Sequence, residues 1–291
     1  MAGTTDGEAS HFLTFFSYLD SIGVIHVNLT EGISKEFLCE TFSQDMAKSY
    51  FNNSPKAAKA LCDKYSYHGK EDKLVQQGIL VADMGTDLFF IGPTVKTLKV
   101  HEDKNTERKT YHYFFSRAIP LMLGGIAPWF TKAGHATELA FLFGGSVFNL
   151  NLTTEESLLG DRMIEYWSNF AKTGNPNSAS VLTWDEYGED KNYIQLDLNI
   201  TAKKDLFPDR MKLILEDIPL LISQPPSAQP PTSNIPKQTS TVIKQSTIIS
   251  LRNNNLALRE KILLASLRKP VLIVDSFKDF QKSQRYMNNK E

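Results

Sequence analysis

The chain has 291 residues, of which 41% are hydrophobic and 22% charged, the ordinary proportions of a globular protein that buries a core. Its formal net charge of −1 argues against a strong electrostatic partnership with nucleic acid or an anionic membrane. The apolar stretches are short, and those such as 118–130 are interrupted by Gly and Pro, which predicts that no segment spans a membrane.

The first ten residues are small and polar, without the basic start and apolar run of a signal peptide. Further along, Cys39 and Cys62 could pair across a short loop or remain as buried thiols, and the sequence leaves both open. The four Asn-x-Ser/Thr sequons permit a secreted context without demonstrating one, and they begin at Asn28, Asn52, Asn151 and Asn199.

Three short segments are predicted to be β-strands because they are apolar, aromatic or alternating. They are Gly78–Met84, Tyr111–Ser116 and Tyr193–Leu198, the last with alternating Ile and Leu. A helix is predicted from Glu155 to Lys172, with Thr153 and Glu156 as a capping box and Gly174 beyond its end. Strands that alternate with helices indicate an α/β architecture.

The composition changes near residue 220. Residues 1–221 form the predicted domain, and 222–291 form a linker rich in Pro, Ser and Thr followed by a poorly ordered basic tail. The segment Ser223–Lys244 has too little to bury to offset the entropy cost of ordering it. Within the tail, Leu256–Leu267 could form a short amphipathic helix, although an unstructured segment is the preferred reading.

None of the six histidines stands at metal-ligand spacing from Cys or Glu, so no metal site is predicted. His135 follows a Gly in a loop-like segment and precedes an apolar, aromatic run. A histidine on such a loop can present its imidazole to a cleft as a general base, although a packing or surface role is the more common one.

The segment around His135 resembles the histidine loop of the type-B carboxylesterases, the family that includes the cholinesterases and neuroligins. The family pattern is Gly-x-x-His-Gly-x-Glu-Leu/Ile-x-Phe/Tyr-Val-Phe-Gly, and this chain matches it at His135, Glu138, Leu139, Phe141, Phe143 and Gly144. Further resemblances occur at 3–13, at Asp87-x-x-Phe-x-x-Pro93, at 166–177 and at 184–198. Together they cover residues 1 to about 200.

The resemblance implies the C-terminal half of an α/β-hydrolase fold, a mixed sheet flanked by helices, followed by a disordered tail. It also implies a Ser-Glu-His triad in which Glu8 is the acid and His135 the base, with Asp6 as a competitor for the acid. Glu138 is either a carboxylate supporting the histidine loop or a capping and surface group. Triad chemistry requires neither a cofactor nor a metal. Family resemblance further implies an extracellular or secretory location.

The sequence contains no Gly-x-Ser-x-Gly nucleophile elbow and no glycine-rich oxyanion loop. Three explanations follow: a portion of an esterase whose N-terminal half completes the site, an inactive module that binds a protein partner, or a remnant without function. In the first case the substrate is a small-molecule carboxylic ester. Two departures from the family pattern, Ala136 for Gly and Ala140 for an acidic residue, favour a general carboxylesterase over a cholinesterase. Ala136 would be strained if that glycine has positive φ.

Overall fold

The computed structural model describes residues 1–69, 73–104, 108–119 and 127–223. Residues 222 and 223 of the predicted linker are the last residues of the helix Ile218–Ser223. The rest of the linker and the predicted amphipathic helix lie outside the described residues, and the boundary after residue 221 stays a prediction. The strands are β1 (Ala2–Thr5), β2 (His112–Phe115), β3 (Asn192–Leu196) and β4 (Thr201–Lys204). The helices are α1 (Ser10–Ser21), α2 (Ser43–Tyr50), α3 (Pro55–Tyr65), α4 (Leu74–Thr86), α5 (Gly92–Lys104), α6 (Leu139–Leu142), α7 (Thr154–Thr173), α8 (Pro208–Lys212) and α9 (Ile218–Ser223). Stretches of π-helix precede α2 and join α4 to α5 and α8 to α9.

The four strands form one mixed sheet in the order β1-β2-β3-β4. The first three are parallel, with Thr5 opposite Phe115 and Phe115 opposite Leu196, and β4 is antiparallel to β3. The strands predicted at Tyr111–Ser116 and Tyr193–Leu198 are therefore confirmed as β2 and β3. Because β1 and β2 are adjacent and parallel, the loops that follow them leave the same edge of the sheet.

The sheet separates two apolar cores because successive side chains of a strand point to opposite faces. Phe114 and Tyr193 join the core built from α1 to α5 and the C-terminal helices, whereas Phe115 and Ile194 join the core around α7. Trp184 is fully buried in the second core. A mixed sheet with helices on both faces confirms the predicted fold class.

Helix α7 begins and ends where its local signals predict. The Thr153 hydroxyl accepts from the Glu156 N–H, and the Glu156 carboxylate accepts from the Thr153 N–H, so the predicted capping box is complete. Gly174 ends the helix with φ of 74°, a left-handed conformation that glycine adopts without a steric penalty.

The strand predicted at Gly78–Met84 is wrong, because these residues form the middle of helix α4. A short apolar run does not by itself distinguish a buried strand from a buried helix. Residues 77, 78 and 81–86 are buried, so the second half of the helix shows no alternation between a buried and an exposed face. The error came from the composition of the run, in which Asp83 is the single charged residue.

The run Leu74–Asp103, which contains α4 and α5, is long and apolar enough to cross a membrane by length and composition. Its apolar window is 61% buried inside the fold, as in core helices of soluble proteins, which also meet this criterion. The run is therefore weak support for a span, and the absence of one stays a prediction. Cys39 and Cys62 form a disulfide that joins the π-helix before α2 to α3.

Candidate active site

Glu8 lies in the loop after β1, and both of its carboxylate oxygens are held. The Thr5 N–H donates to Oε1 at 2.8 Å, and the His135 Nδ1–H donates to Oε2 at 2.6 Å. The Glu8 side chain is only 7% exposed. A buried carboxylate with both oxygens occupied is fixed in orientation, so it fixes the imidazole that it contacts.

His135 is the open half of this pair, since 49% of its side chain is exposed. Its hydrogen bond to Glu8 raises the pKa of the imidazole, while partial burial opposes that shift. Because Nδ1 donates to Glu8, the neutral ring carries its lone pair on Nε2. The arrangement presents a proton acceptor to solvent with its tautomer already set.

Three contacts join the loop of Glu8 to the loop of His135. Gly7 and Gly134 form a parallel bridge, and the Ser10 hydroxyl accepts from the His135 N–H at 3.2 Å. Asp6 Oδ1 accepts from the Ala133 N–H at 2.6 Å. Residues about 127 positions apart are thereby held in one register at the carboxyl ends of β1 and β2.

The structure brings Glu8, and not Asp6, to the imidazole. Asp6 instead anchors the backbone of the histidine loop. Burial raises the pKa of Asp6 to about 7, although the charge of Lys132 and the bond from Ala133 act in the opposite direction. The geometry therefore favours Glu8 for the position of the acid, as the resemblance implied.

Comparison with known proteins agrees with this geometry. The model of the carboxylesterase family matches residues 1–214. This chain belongs to the carboxylesterase family. Relatives include Carboxylesterase 5A of Canis lupus familiaris, 33% identical over 182 residues, which are 60% of this chain and 30% of the relative. The medium-chain fatty acyl-CoA hydrolase precursor of Anas platyrhynchos is 30% identical over 187 residues, 64% of this chain and 33% of the relative.

A third relative, the acylcarnitine hydrolase of Rattus norvegicus, is 31% identical over 177 residues, which are 60% of this chain and 30% of that protein. The chain therefore spans about a third of the length of the curated relatives it matches. Family membership supports an esterase-like C-terminal portion.

The Glu138 carboxylate lies near the pair but makes no hydrogen bond with either member. Its Oε2 is buried and has no hydrogen-bond partner among the described residues. Burial raises the pKa of Glu138, and the neighbouring Glu8 charge raises it further. A carboxyl group in this position acts on His135 through its charge, since both carboxylates raise the pKa of that imidazole.

Ala136 has φ of 62°, so it adopts the left-handed conformation at the position where the family pattern has glycine. The strain expected from this departure is therefore present in the histidine loop. Two residues beyond the triad pattern were missed from the sequence, namely Ser10 and Lys132. Ser10 lies in the segment 3–13 that resembles the family, and this resemblance was the available signal, although it assigned Ser10 no role.

Lys132 connects the histidine loop to a second, closed ionic cluster. Its ammonium donates to Asp83 Oδ1 at 2.5 Å, and the other oxygen of Asp83 lies 3.6 Å from Arg210. Arg210 in turn binds Asp87 with two hydrogen bonds of 2.5 Å, and the Tyr65 hydroxyl donates to Asp87 at 2.6 Å. The loop that holds His135 is thus tied to helices α4, α3 and α8 behind it.

Proposed function

We propose that this chain is the C-terminal portion of a carboxylic ester hydrolase, in which Glu8 and His135 are the acid and the base of a Ser-Glu-His triad. The contact that carries the proposal is the hydrogen bond of 2.6 Å between His135 Nδ1 and Glu8 Oε2. It occurs between two residues that the family motif had selected from the sequence. The half-exposed imidazole leaves Nε2 accessible to a nucleophile from another part of the protein.

In ester hydrolysis a serine oxygen attacks the acyl carbon, and the imidazole takes its proton at Nε2. The same nitrogen then returns the proton to the leaving alcohol, and a water molecule repeats the cycle to release the acid. Glu8 would orient the ring through Nδ1 and stabilise the imidazolium that forms. Neither the serine motif nor the oxyanion loop occurs in these 291 residues, so an N-terminal portion has to provide both.

The exposed surface beside the histidine loop supports the need for a further portion. Of the two aromatic residues in the histidine-loop motif, Phe141 is buried and Phe143 is exposed. Phe143 and Val147 are each 66% exposed. Large apolar side chains grouped near a site are typical of a surface that another part of the protein covers.

The substrate class that fits this proposal is a small-molecule carboxylic ester. The relatives differ in what their names say they hydrolyse, a fatty acyl-CoA in one and an acylcarnitine in another. The groups that select between acyl chains would lie in the N-terminal portion, and triad chemistry requires no cofactor. A catalytically inactive module that binds a protein partner is the second candidate, favoured by the missing serine motif.

The decisive experiment is to sequence the 5′ end of the transcript that encodes Met1 and to express its longest reading frame. We expect a product that reacts with a fluorophosphonate probe and hydrolyses p-nitrophenyl esters. Its H135Q and E8Q variants should lose on the order of 10³ to 10⁶ in kcat, as triad variants do. A message that begins at Met1, or labelling unaffected by H135Q, would rule out the esterase in favour of the binding module.

We further propose that the protein passes through the secretory pathway and carries N-linked glycans. The Cys39–Cys62 disulfide supports this, because disulfides persist in oxidising compartments. The asparagines of all four sequons are exposed. Secretion from cultured cells, followed by a shift in gel mobility after treatment with an N-glycosidase, is the expected result. A reduced, unglycosylated protein in the cytosol would contradict both parts.

A further inference from the structure

A second imidazole lies beside the candidate base. His11 is in the first turn of α1, and its ring centre is 5.5 Å from that of His135, with the planes inclined by 58°. Both residues are exposed. The proposed triad does not use His11.

Both rings are bound to Glu8 through their Nδ1 atoms. The His11 Nδ1–H donates to the Glu8 backbone carbonyl at 2.8 Å, and the His135 Nδ1–H donates to the Glu8 carboxylate at 2.6 Å. Each neutral ring therefore carries its lone pair on Nε2. A histidine that ligates a metal characteristically donates its other ring N–H to a carboxylate or a backbone carbonyl, as these two do.

The separation of the ring centres is compatible with a shared ion. With Zn–N bonds of about 2.0–2.1 Å and tetrahedral angles, two imidazoles on one zinc ion have ring centres about 5 Å apart. The observed 5.5 Å differs from this by an amount that small side-chain rotations remove. Phe90 contacts both rings, with its ring centre 5.9 Å from that of His11 and 5.2 Å from that of His135.

The charges around the pair favour a cation. Glu8 and Glu138 both act electrostatically on His135, and two carboxylates attract a divalent ion. Within the described residues there is no group of three or more His, Cys, Asp and Glu side chains that could hold a metal. Protein nitrogens would therefore provide two of the four positions around the ion, and water would fill the others.

We propose that His11 and His135 bind one Zn²⁺ ion through their two Nε2 atoms. Binding replaces two water molecules on the ion and requires no proton transfer when both rings are neutral. The ion occupies the nitrogen that the triad needs as its proton acceptor. If the proposed esterase function holds, zinc is therefore an inhibitor of this protein and not its cofactor.

The test is a Zn²⁺ titration of the full 291-residue chain, followed by ¹H–¹⁵N spectra of the histidine rings. We expect the Nε2 signals of two histidines to shift together and to saturate at one equivalent of zinc. The H11F and H11Q variants should each weaken binding at least about tenfold, since one of only two protein ligands is lost. H26Q, which removes an exposed histidine elsewhere, should leave the affinity within about twofold.

E8Q provides an independent readout, because loss of a group that orients a metal-ligating histidine costs about 10–100-fold in affinity. Zinc binding that survives H11F and H11Q, or no binding at millimolar zinc, would overturn the proposal. Circular dichroism of each variant distinguishes a lost ligand from a lost fold. No step of this test requires esterase activity, so the zinc site and the proposed triad can fail separately.

Discussion

The molecule has two carboxylate-centred clusters with opposite properties. In the closed cluster, Asp87 is completely buried and is bound by Arg210, whose side chain is 19% exposed, and by Tyr65. In the open cluster, Glu8 is nearly as buried as Asp87, but its partner His135 is half exposed. The acids are alike, and the clusters differ in the base that each acid holds.

That difference separates a structural cluster from one that can do chemistry. Arginine does not lose its proton in a protein, so its two-bond contact with a buried carboxylate holds a fixed charge and offers no proton acceptor. Histidine titrates near neutral pH, and His135 keeps one ring nitrogen accessible. Asp83 and Lys132 connect the two clusters, so the rigid one supports the loop of the reactive one.

The largest effect is expected in the closed cluster. R210M should lower the free energy of unfolding by about 3–5 kcal/mol, because it leaves the buried Asp87 charge without its cation. H135Q in the open cluster should cost at most about 1 kcal/mol, since an ion pair with an exposed partner contributes little to stability. Urea unfolding of the full chain measures both variants.

R210K is the matched control, since it keeps the positive charge and should destabilise less than R210M. If R210M and H135Q lower the free energy of unfolding equally, the two clusters do not differ in their contribution to stability. His135 would then be a structural residue, and its pairing with Glu8 would no longer support the proposed triad.

A second comparison concerns two histidines, His135 and His112. His112 in β2 is 1% exposed, contacts the rings of Tyr187 and Tyr193, and has no hydrogen-bond partner among the described residues. Burial lowers its pKa to about 4. The folded protein thus keeps His112 neutral while the unfolded chain protonates it near pH 6.5, so stability is lost as the pH falls from 6.5 towards 4.

H112F should remove this acid sensitivity. The free energy of unfolding of the parent chain, relative to H112F, should fall by about 2–3 kcal/mol between pH 7.5 and pH 4.5. The contribution of His135 to stability has the opposite pH dependence. Its pKa is raised in the folded protein, so this contribution is present below pH 6.5 and is lost as the pH rises through the pKa of the folded state. Urea unfolding at several pH values, with H135Q measured in parallel, separates the two; identical profiles for H112F and the parent would contradict the assignment.

The sequence predicted the parts of this fold that depend on local signals. Helix α7 was placed within one residue at each end because Thr153, Glu156 and Gly174 are its own caps. Helix α4 was mistaken for a strand because burial on all sides hides the helical period. Whether a buried apolar segment forms a helix or a strand depends on its tertiary contacts, which a single sequence does not show.

The candidate site divides in the same way. Family motifs selected Glu8 and His135, but their contact depends on the parallel pairing of β1 with β2, which no spacing in the chain specifies. Asp6 was considered only as a rival acid, and its bond to Ala133 could not be foreseen from residues 127 positions apart. The sequence gives no sign of a role for His11, because that role depends on the His135 ring, which only the fold brings near it.

The smallest effect concerns strain in the open cluster, and a glycine substitution tests it. Ala136 has φ of 62°, where a Cβ costs about 1 kcal/mol relative to glycine. A136G should therefore raise the free energy of unfolding by about 0.5–1 kcal/mol. The gain is smaller than the full strain because glycine also gives the unfolded chain more conformational entropy. Urea unfolding measures the gain, and the His135 ring spectrum shows whether the Glu8 contact persists.

A60G in α3 is the control, because alanine there has helical geometry and glycine should lower stability by about 1 kcal/mol. If A136G raises the free energy of unfolding while A60G lowers it, the strain belongs to the histidine loop. If A136G destabilises as A60G does, the left-handed turn carries no strain, and the loop holds His135 at no cost. If A136G stabilises the fold but broadens the His135 signals, Ala136 makes the histidine loop more rigid. Lys132 and Asp83 anchor this loop to the closed cluster.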